Sequence, residues 1–417
     1  MEYAVRGKVV IAADALSTEL KSENPPDLPF SKIIYTNIGN PHSVGQKPLT
    51  WPRQVMALAD LPAEVGVDNP KITEVFPPDA VERARLLQSY TNGCGTGAYS
   101  HSQGLLGIRE EVCEFIKNRD GVDSKPEDIF LTNGASAGIS QILTAVVRGP
   151  EDAVMIPIPQ YPIYSATLSL LGGTQVGYYL DESACWSSQM SELERSIKAA
   201  KKSGKNVRAL VLINPGNPTG QVLSAEAIQD VCKFCKKHSL VLLADEVYQE
   251  NVYHPTKTFT SAKKAAADAG VLGDFELVSF HSTSKGIWGE CGRRGGYMEL
   301  QGFDADVAAQ IYKLASAGLC SGLPGQVMTS LMVKGPRAGD FSYESFEKEK
   351  KTIFDSLKRR ANLVVSGLNE IPGFECQEAE GSMYCFPKVR SGEERSNYGI
   401  STAASRNFVR FVAAANT

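Results

Sequence analysis

The chain has 417 residues, 42% of them apolar and 22% charged, which is enough for one large core and a second lobe. Its 43 basic and 47 acidic residues leave a formal charge of −4, and they are spread without a basic block, so nucleic acid is excluded as an expected partner. No apolar run approaches the roughly 18 residues a membrane helix needs, and Met1-Glu2-Tyr3 does not open a secretory signal, so no membrane and a cytoplasmic location are expected.

The stretch from Lys21 through Pro29 is polar and proline-rich. Ile33 to Pro41 then reads as a short strand ending in a glycine turn, with loop material after it to Pro78. Residues 1–78 are therefore expected to form an arm and part of a small domain. From about Ala80, helices alternate with short runs: Ile129–Leu131, Ala153–Ile156, Ala209–Ile213, Leu240–Ala244 and Leu277–Phe280. These runs are nearly continuous in apolar residues, as strands buried on both faces must be, and Ala225–His238 reads as one of the intervening helices. An α/β fold with a mostly parallel sheet is predicted for 79–325. Tyr343 to about Asn369 reads as a long charged helix and Ser382–Phe386 as a strand, giving a smaller α+β domain over 326–417. Nine cysteines, an odd number, point to reduced thiols; Cys232 and Cys235 lie on a helix with no second pair at metal spacing, so no metal site is expected.

Ligands of such sheets bind beyond the carboxyl ends of the strands, so the residues that follow each run carry the functional argument. After the first comes Thr132-Asn133-Gly134-Ala135-Ser136, small residues entering a helix, which suits a phosphate but is also an ordinary tight turn. The cluster Gly93-Cys94-Gly95-Thr96-Gly97 lacks dinucleotide spacing. After the second comes Pro157 to Tyr164, a stiff turn in which Tyr161 either packs in the core or stacks on a planar ligand. The third ends in Asn214-Pro215-Gly216-Asn217-Pro218-Thr219-Gly220 and the fourth in Asp245-Glu246-Val247-Tyr248, where a carboxylate closing a buried strand demands a partner. The fifth ends in His281-Ser282-Thr283-Ser284-Lys285-Gly286, followed by Gly292-Arg293-Arg294-Gly295-Gly296-Tyr297.

Taken together and in this order, Asn-Pro-Thr-Gly, Asp-x-x-Tyr, Ser-x-x-Lys and Gly-x-Arg-x-Gly-Tyr resemble the fold-type I aminotransferases, which depend on pyridoxal 5′-phosphate (PLP). Gly289-Glu290-Cys291-Gly292, Asn37 to Pro41, Gly45 to Thr50 and Gly97 to Ser100 are similar to the alanine and glutamate:glyoxylate branch, and the resemblance runs from about Tyr3 to Val389. It implies that Lys285 holds the cofactor as an imine and shuttles the substrate's proton, that Asp245 pairs with the pyridine nitrogen, and that Tyr248 and Asn217 bond its phenolic oxygen. It further implies that Tyr161 stacks on the ring. The phosphate would be held by Ala135 and Ser136 amides, Ser282 and Arg294, with Tyr99 reaching in from the second subunit of a homodimer. Gly39 would let the arm lie against the substrate's carboxylate, with Asn217 also at the substrate. Of the adjacent arginines the motif spacing selects Arg294 over Arg293.

The implied reaction is amino transfer from L-alanine to 2-oxoglutarate, giving pyruvate and L-glutamate; glutamate:glyoxylate or alanine:glyoxylate transfer stays open. The sequence departs from the pattern after Gly399-Ile400-Ser401-Thr402, where nothing matches the family's arginine for the substrate carboxylate, and Arg406 and Arg410 are not assigned that role. The C-terminal part is thus expected to be shortened or altered, and a PLP-binding but catalytically impaired relative is the competing reading. Ala415-Asn416-Thr417 is no peroxisomal address.

Overall fold

The computed structural model describes residues 7–35 and 39–389. Helices α1 (Lys8–Glu19), α2 (Thr50–Asp60), α3 (Pro78–Tyr90) and α4 (Leu106–Asp120) precede the sheet. Strand and helix then alternate: β1 (Ile129–Leu131), α5 (Ala135–Val146), β2 (Asp152–Ile158), α6 (Ile163–Leu171), β3 (Thr174–Tyr179), α7 (Met190–Lys202), β4 (Asn206–Ile213), α8 (Ala225–His238), β5 (Val241–Asp245), α9 (Ala262–Asp268) and β6 (Leu277–Ser282). After β7 (Gly296–Gln301) come α10 (Ala305–Ser316), α11 (Leu323–Val333), the 27-residue α12 (Tyr343–Asn369) and the short pair β8 (Phe374–Glu375) and β9 (Lys388–Val389).

The seven strands lie in the order β1-β7-β6-β5-β4-β2-β3, and only β7 runs antiparallel to its neighbours. Alternation along β4 shows why the apolar runs are continuous. Leu210 and Leu212 face one core with Ile228, Val231 and Cys232 of α8. Ala209, Val211 and Ile213 face the other with Ile139, Ile142 and Leu168 of α5 and α6. A strand covered by helices on both sides has no polar face to spare. Cys232 and Cys235 are both fully buried in the first of these cores, and burial pushes the Cys232 thiol up to about 12. Among the described residues, no helix is long and apolar enough to cross a membrane.

Three sequence expectations are corrected here. Ile33–Tyr35 and Gly39–Pro41 form no strand. The supposed loop before Pro78 contains α2, whose Pro52 is tolerated because a first-turn N–H needs no helical partner. Ser382–Phe386 is not a strand either; its neighbour Gly381 makes only an isolated bridge with Val252, and this segment is held by side chains and loop backbone instead.

Candidate active site

The parallel strands β4, β5 and β6 end side by side, with Ile213, Asp245 and Phe280 in register. Asp245 closes β5 and lies opposite Phe280 of β6, two residues before Ser282 and five before Lys285. The Asp245 carboxylate is buried; Tyr164 Oη donates to Oδ2 at 3.0 Å, while Oδ1 has no hydrogen-bond partner. Burial pushes Asp245 up to about 6, partly opposed by the Tyr164 hydroxyl, the Val247 amide and the Lys285 charge. A buried acceptor left open is costly unless something supplies a donor. Glu246, one residue on, takes the opposite face of the sheet, where it accepts the Ala262 amide at 2.7 Å and lies 4.0 Å from Arg119.

Lys285 Nζ donates to the Gly39 carbonyl at 3.3 Å. Gly39 has to be glycine here, because a Cβ would come 2.9 Å from Tyr384 Oη and 3.5 Å from Lys285 Nζ. Tyr248 is buried, with its ring edge-on to Tyr384. Burial and the neighbouring Tyr384 hydroxyl raise Tyr248 well above the ordinary phenol range, so it stays a donor. Asn217 is buried in the turn after β4, and its amide oxygen has no partner. Cis peptide bonds precede Pro159, Pro215 and Pro218 in the turns that carry Tyr161 and Asn217. Tyr161 is half-buried and packs on the core that includes Tyr164.

A second cluster forms where α5 begins. Gly134 takes φ 75° at its N-cap, and a Cβ there would lie 2.6 Å from Arg294 Nη2. The first-turn N–H groups of Ala135 and Ser136 have no acceptor within the helix. Arg294 Nη2 donates to the Asn133 carbonyl at 2.9 Å and to Ser136 Oγ at 3.2 Å, and Nη1 donates to the Cys291 carbonyl at 3.0 Å and Ser284 Oγ at 3.3 Å. Among the described residues no carboxylate pairs with it. Arg293 instead lies 3.9 Å from Glu290. Amides at a helix start, two hydroxyls and an unneutralised guanidinium make a cradle for a dianion.

Ser282 is turned inward: its hydroxyl donates to the Gly295 carbonyl at 3.1 Å and accepts the Ser284 amide at 3.1 Å, with Ser284 Oγ 3.0 Å away, and so touches the cradle through Ser284. Tyr99 is 80% exposed and lies on the surface of this single chain. Three residues of the site were not singled out from sequence. Ser284 was legible as the second hydroxyl of the Ser-x-Ser-Lys turn. Tyr164 was quoted only beside Tyr161, and Tyr384 had no local signal at all. Arg406 and Arg410 lie outside the described residues.

Residues 73–403 match the family model for class I and II aminotransferases. An Arabidopsis thaliana protein named alanine aminotransferase 1, mitochondrial, is 51% identical over 387 residues, covering 93% of this chain and 71% of the relative. Glutamate–glyoxylate aminotransferase 1 of the same plant is 50% identical over 391 residues, covering 93% and 79%. Among solved structures, an Escherichia coli aminotransferase superposes with a TM-score of 0.72 at 25% identity, covering 95% of this chain and 82% of the other.

Proposed function

We propose that this chain, which belongs to the PLP-dependent class I and II aminotransferase family, transfers the amino group of L-alanine to 2-oxoglutarate, giving pyruvate and L-glutamate. What carries the reading is one cleft with complementary ends: an anion cradle around Arg294, and on neighbouring strand ends an open Asp245 oxygen beside Lys285. Those features fit PLP. The Ala135 and Ser136 amides, Ser136 and Ser284 hydroxyls and Arg294 would hold its phosphate, with Ser282 bracing Ser284 and Tyr99 contributing from the partner of a homodimer. Asp245 Oδ1 would accept from its ring nitrogen, Tyr248 and Asn217 would bond its phenolic oxygen, and Tyr161 would cover its face.

When bound, PLP supplies the electron sink that makes the substrate's Cα–H acidic. The protein's part is to orient and to move a proton. Lys285 Nζ would anchor the cofactor and would take up and return the substrate's Cα proton. Asp245, ionised, would keep the ring nitrogen protonated, and Gly39 would lie against the substrate's carboxylate, with Asn217 also at the substrate.

The near-equal identity to the glyoxylate-directed relative supports amino transfer from glutamate or alanine to glyoxylate as the second reading. Nine unpaired cysteines support a reducing compartment, the cytoplasm in our reading. The test is a spectral titration of the purified protein with alanine, glutamate and glyoxylate. A cofactor band that bleaches with alanine while pyruvate accumulates and recovers on adding 2-oxoglutarate is expected, and recovery with glyoxylate but not with 2-oxoglutarate favours the second reading. A band that persists with every amino acid identifies a cofactor-binding protein without turnover and refutes both. A Lys285→Ala variant that still retains the cofactor covalently after borohydride reduction would overturn the anchoring role.

A further inference from the structure

The turn that carries Asn217 is short of backbone donors, because Pro215 and Pro218 have no N–H to give. Two backbone bonds close its mouth: Gly216 N–H donates to the Gln221 carbonyl at 2.9 Å, and Gly220 N–H donates to the Gly216 carbonyl at 3.1 Å. Asn217 sits in the loop between them. Its own amide oxygen has no hydrogen-bond partner, so the orientation of this side chain depends on the loop around it.

The side chain of Gln221 braces that loop from within. Its Oε1 accepts the Thr219 hydroxyl, and a Cβ at Gly216 would collide with its amide, so this one group lies against residues on both sides of Asn217. Asn217, Thr219 and Gln221 are all buried and line one small cavity with Tyr178 and Leu212. Shortening Gln221 leaves the Thr219 hydroxyl without its acceptor and gives the Asn217 amide space in which to turn. The outer side of the turn is held separately: the Gly220 carbonyl accepts Gly381 N–H at 2.8 Å, and the Glu380 carboxylate accepts the Val222 amide at 2.8 Å. Those bonds fix where the turn sits, and Gln221 fixes its internal shape. A side chain that must meet one atom of a ligand needs such locking by packing and hydrogen bonds.

We propose that Gln221 is a positioning residue: by accepting the Thr219 hydroxyl and packing on Gly216, it holds Asn217 at the angle from which its amide meets the cofactor. This rests on the reading above that Asn217 bonds the phenolic oxygen. An amide donor on that oxygen favours its anion, so losing the bond raises the pH at which the cofactor band of the loaded protein changes. The experiment records that midpoint, and cofactor affinity by absorbance titration of the cofactor-free protein, for Asn217→Ala, Gln221→Ala, Thr219→Val and Thr219→Ser. A net hydrogen bond corresponds to about 0.5 to 1 pH unit, so Asn217→Ala should raise the midpoint by at least about 0.5. Gln221→Ala and Thr219→Val should move it the same way by about 0.3 or more and weaken affinity about threefold. Thr219→Ser keeps the hydroxyl and should stay within about 0.1 of wild type. Should Gln221→Ala not load cofactor, Thr219→Val carries the same expectation. A loaded Gln221→Ala or Thr219→Val protein whose melting point falls while its midpoint stays put shows a role in stability alone and overturns the proposal, as does a Thr219→Ser protein that shifts as far as Thr219→Val. An Asn217→Ala protein with an unmoved midpoint refutes the parent reading instead, and the inference falls with it.

Discussion

Arg294 and Lys263 are both cations against the central sheet, and they are satisfied in opposite ways. Lys263 is closed off: its amine meets Glu299 at 2.6 Å, Ser124 Oγ at 2.7 Å and the Asp123 carbonyl at 2.9 Å, and both charged side chains have no solvent exposure. Arg294 has only neutral acceptors, two carbonyls and two hydroxyls, and it lies beside free helix-start amides. A buried cation with its counter-ion in the same chain is complete and serves the fold. The guanidinium of Arg294 is exposed and bonded to dipoles alone, which leaves it open to an anion from outside.

Four substitutions sharpen or break that distinction, in falling order of effect. Lys263→Met strands Glu299 inside the protein and should lower unfolding free energy by about 3–5 kcal/mol, read by denaturant melts, while the folded fraction binds cofactor as before. Arg294→Ala should do the reverse. Cofactor affinity, followed by absorbance titration, should fall about 100-fold with loss of two charge-assisted contacts, and the cofactor-free melting point should hardly move. An equal effect of both variants on stability would remove the contrast.

Asp245 lies between these cases, a buried carboxylate with one oxygen bonded to Tyr164 and the other without a hydrogen-bond partner. Its folded-state pKa of about 6 is above the unfolded carboxylate value, so the stability it contributes is complete below that lower value and lost as pH rises through 6. Asp245→Asn should therefore make the cofactor-free protein more stable than wild type above pH 6, by about 3 kcal/mol, with no advantage near pH 4. Parallel melting curves across that range would contradict the burial argument. The smallest effect is expected from Tyr164→Phe. Removing the donor on Oδ2 costs about 1 kcal/mol and moves the Asp245 titration upward from 6, visible as a shifted midpoint in the same pH series.

The same contrast explains what the sequence disclosed. Strands β4, β5 and β6 were legible because burial on both faces leaves a run of apolar residues, and the residues ending those runs, Asn217, Asp245 and Lys285, stand out against it. Strand β7 was not legible. It carries Glu299 in the middle of the sheet, a charge that looks like a surface residue until Lys263, distant in sequence, is placed beside it. Strand β3 is half-exposed at the sheet edge and so lacks the apolar signature. Tyr164 and Tyr384 were hidden for a related reason. One donates from helix α6 to a carboxylate on strand β5 and the other is positioned by its neighbours' hydrogen bonds to Gly220 and Asn251, contacts that only the folded chain brings together.

Strand β7 also sets an order of events during synthesis. Within the sheet β1 pairs with β7 alone, so the strand that leads into Gly134 and the start of α5 is the edge of a sheet whose penultimate member emerges much later. A nascent chain that stops short of Gln301 can already pack α5 against α6 and β6 but has no strand partner for β1, and it lacks Arg294 until shortly before that point. Closing a contact of such long sequence separation is slow and comes late. In chain order the parallel strands β2 to β6 are all made before β7 joins their edge and gives β1 its strand partner.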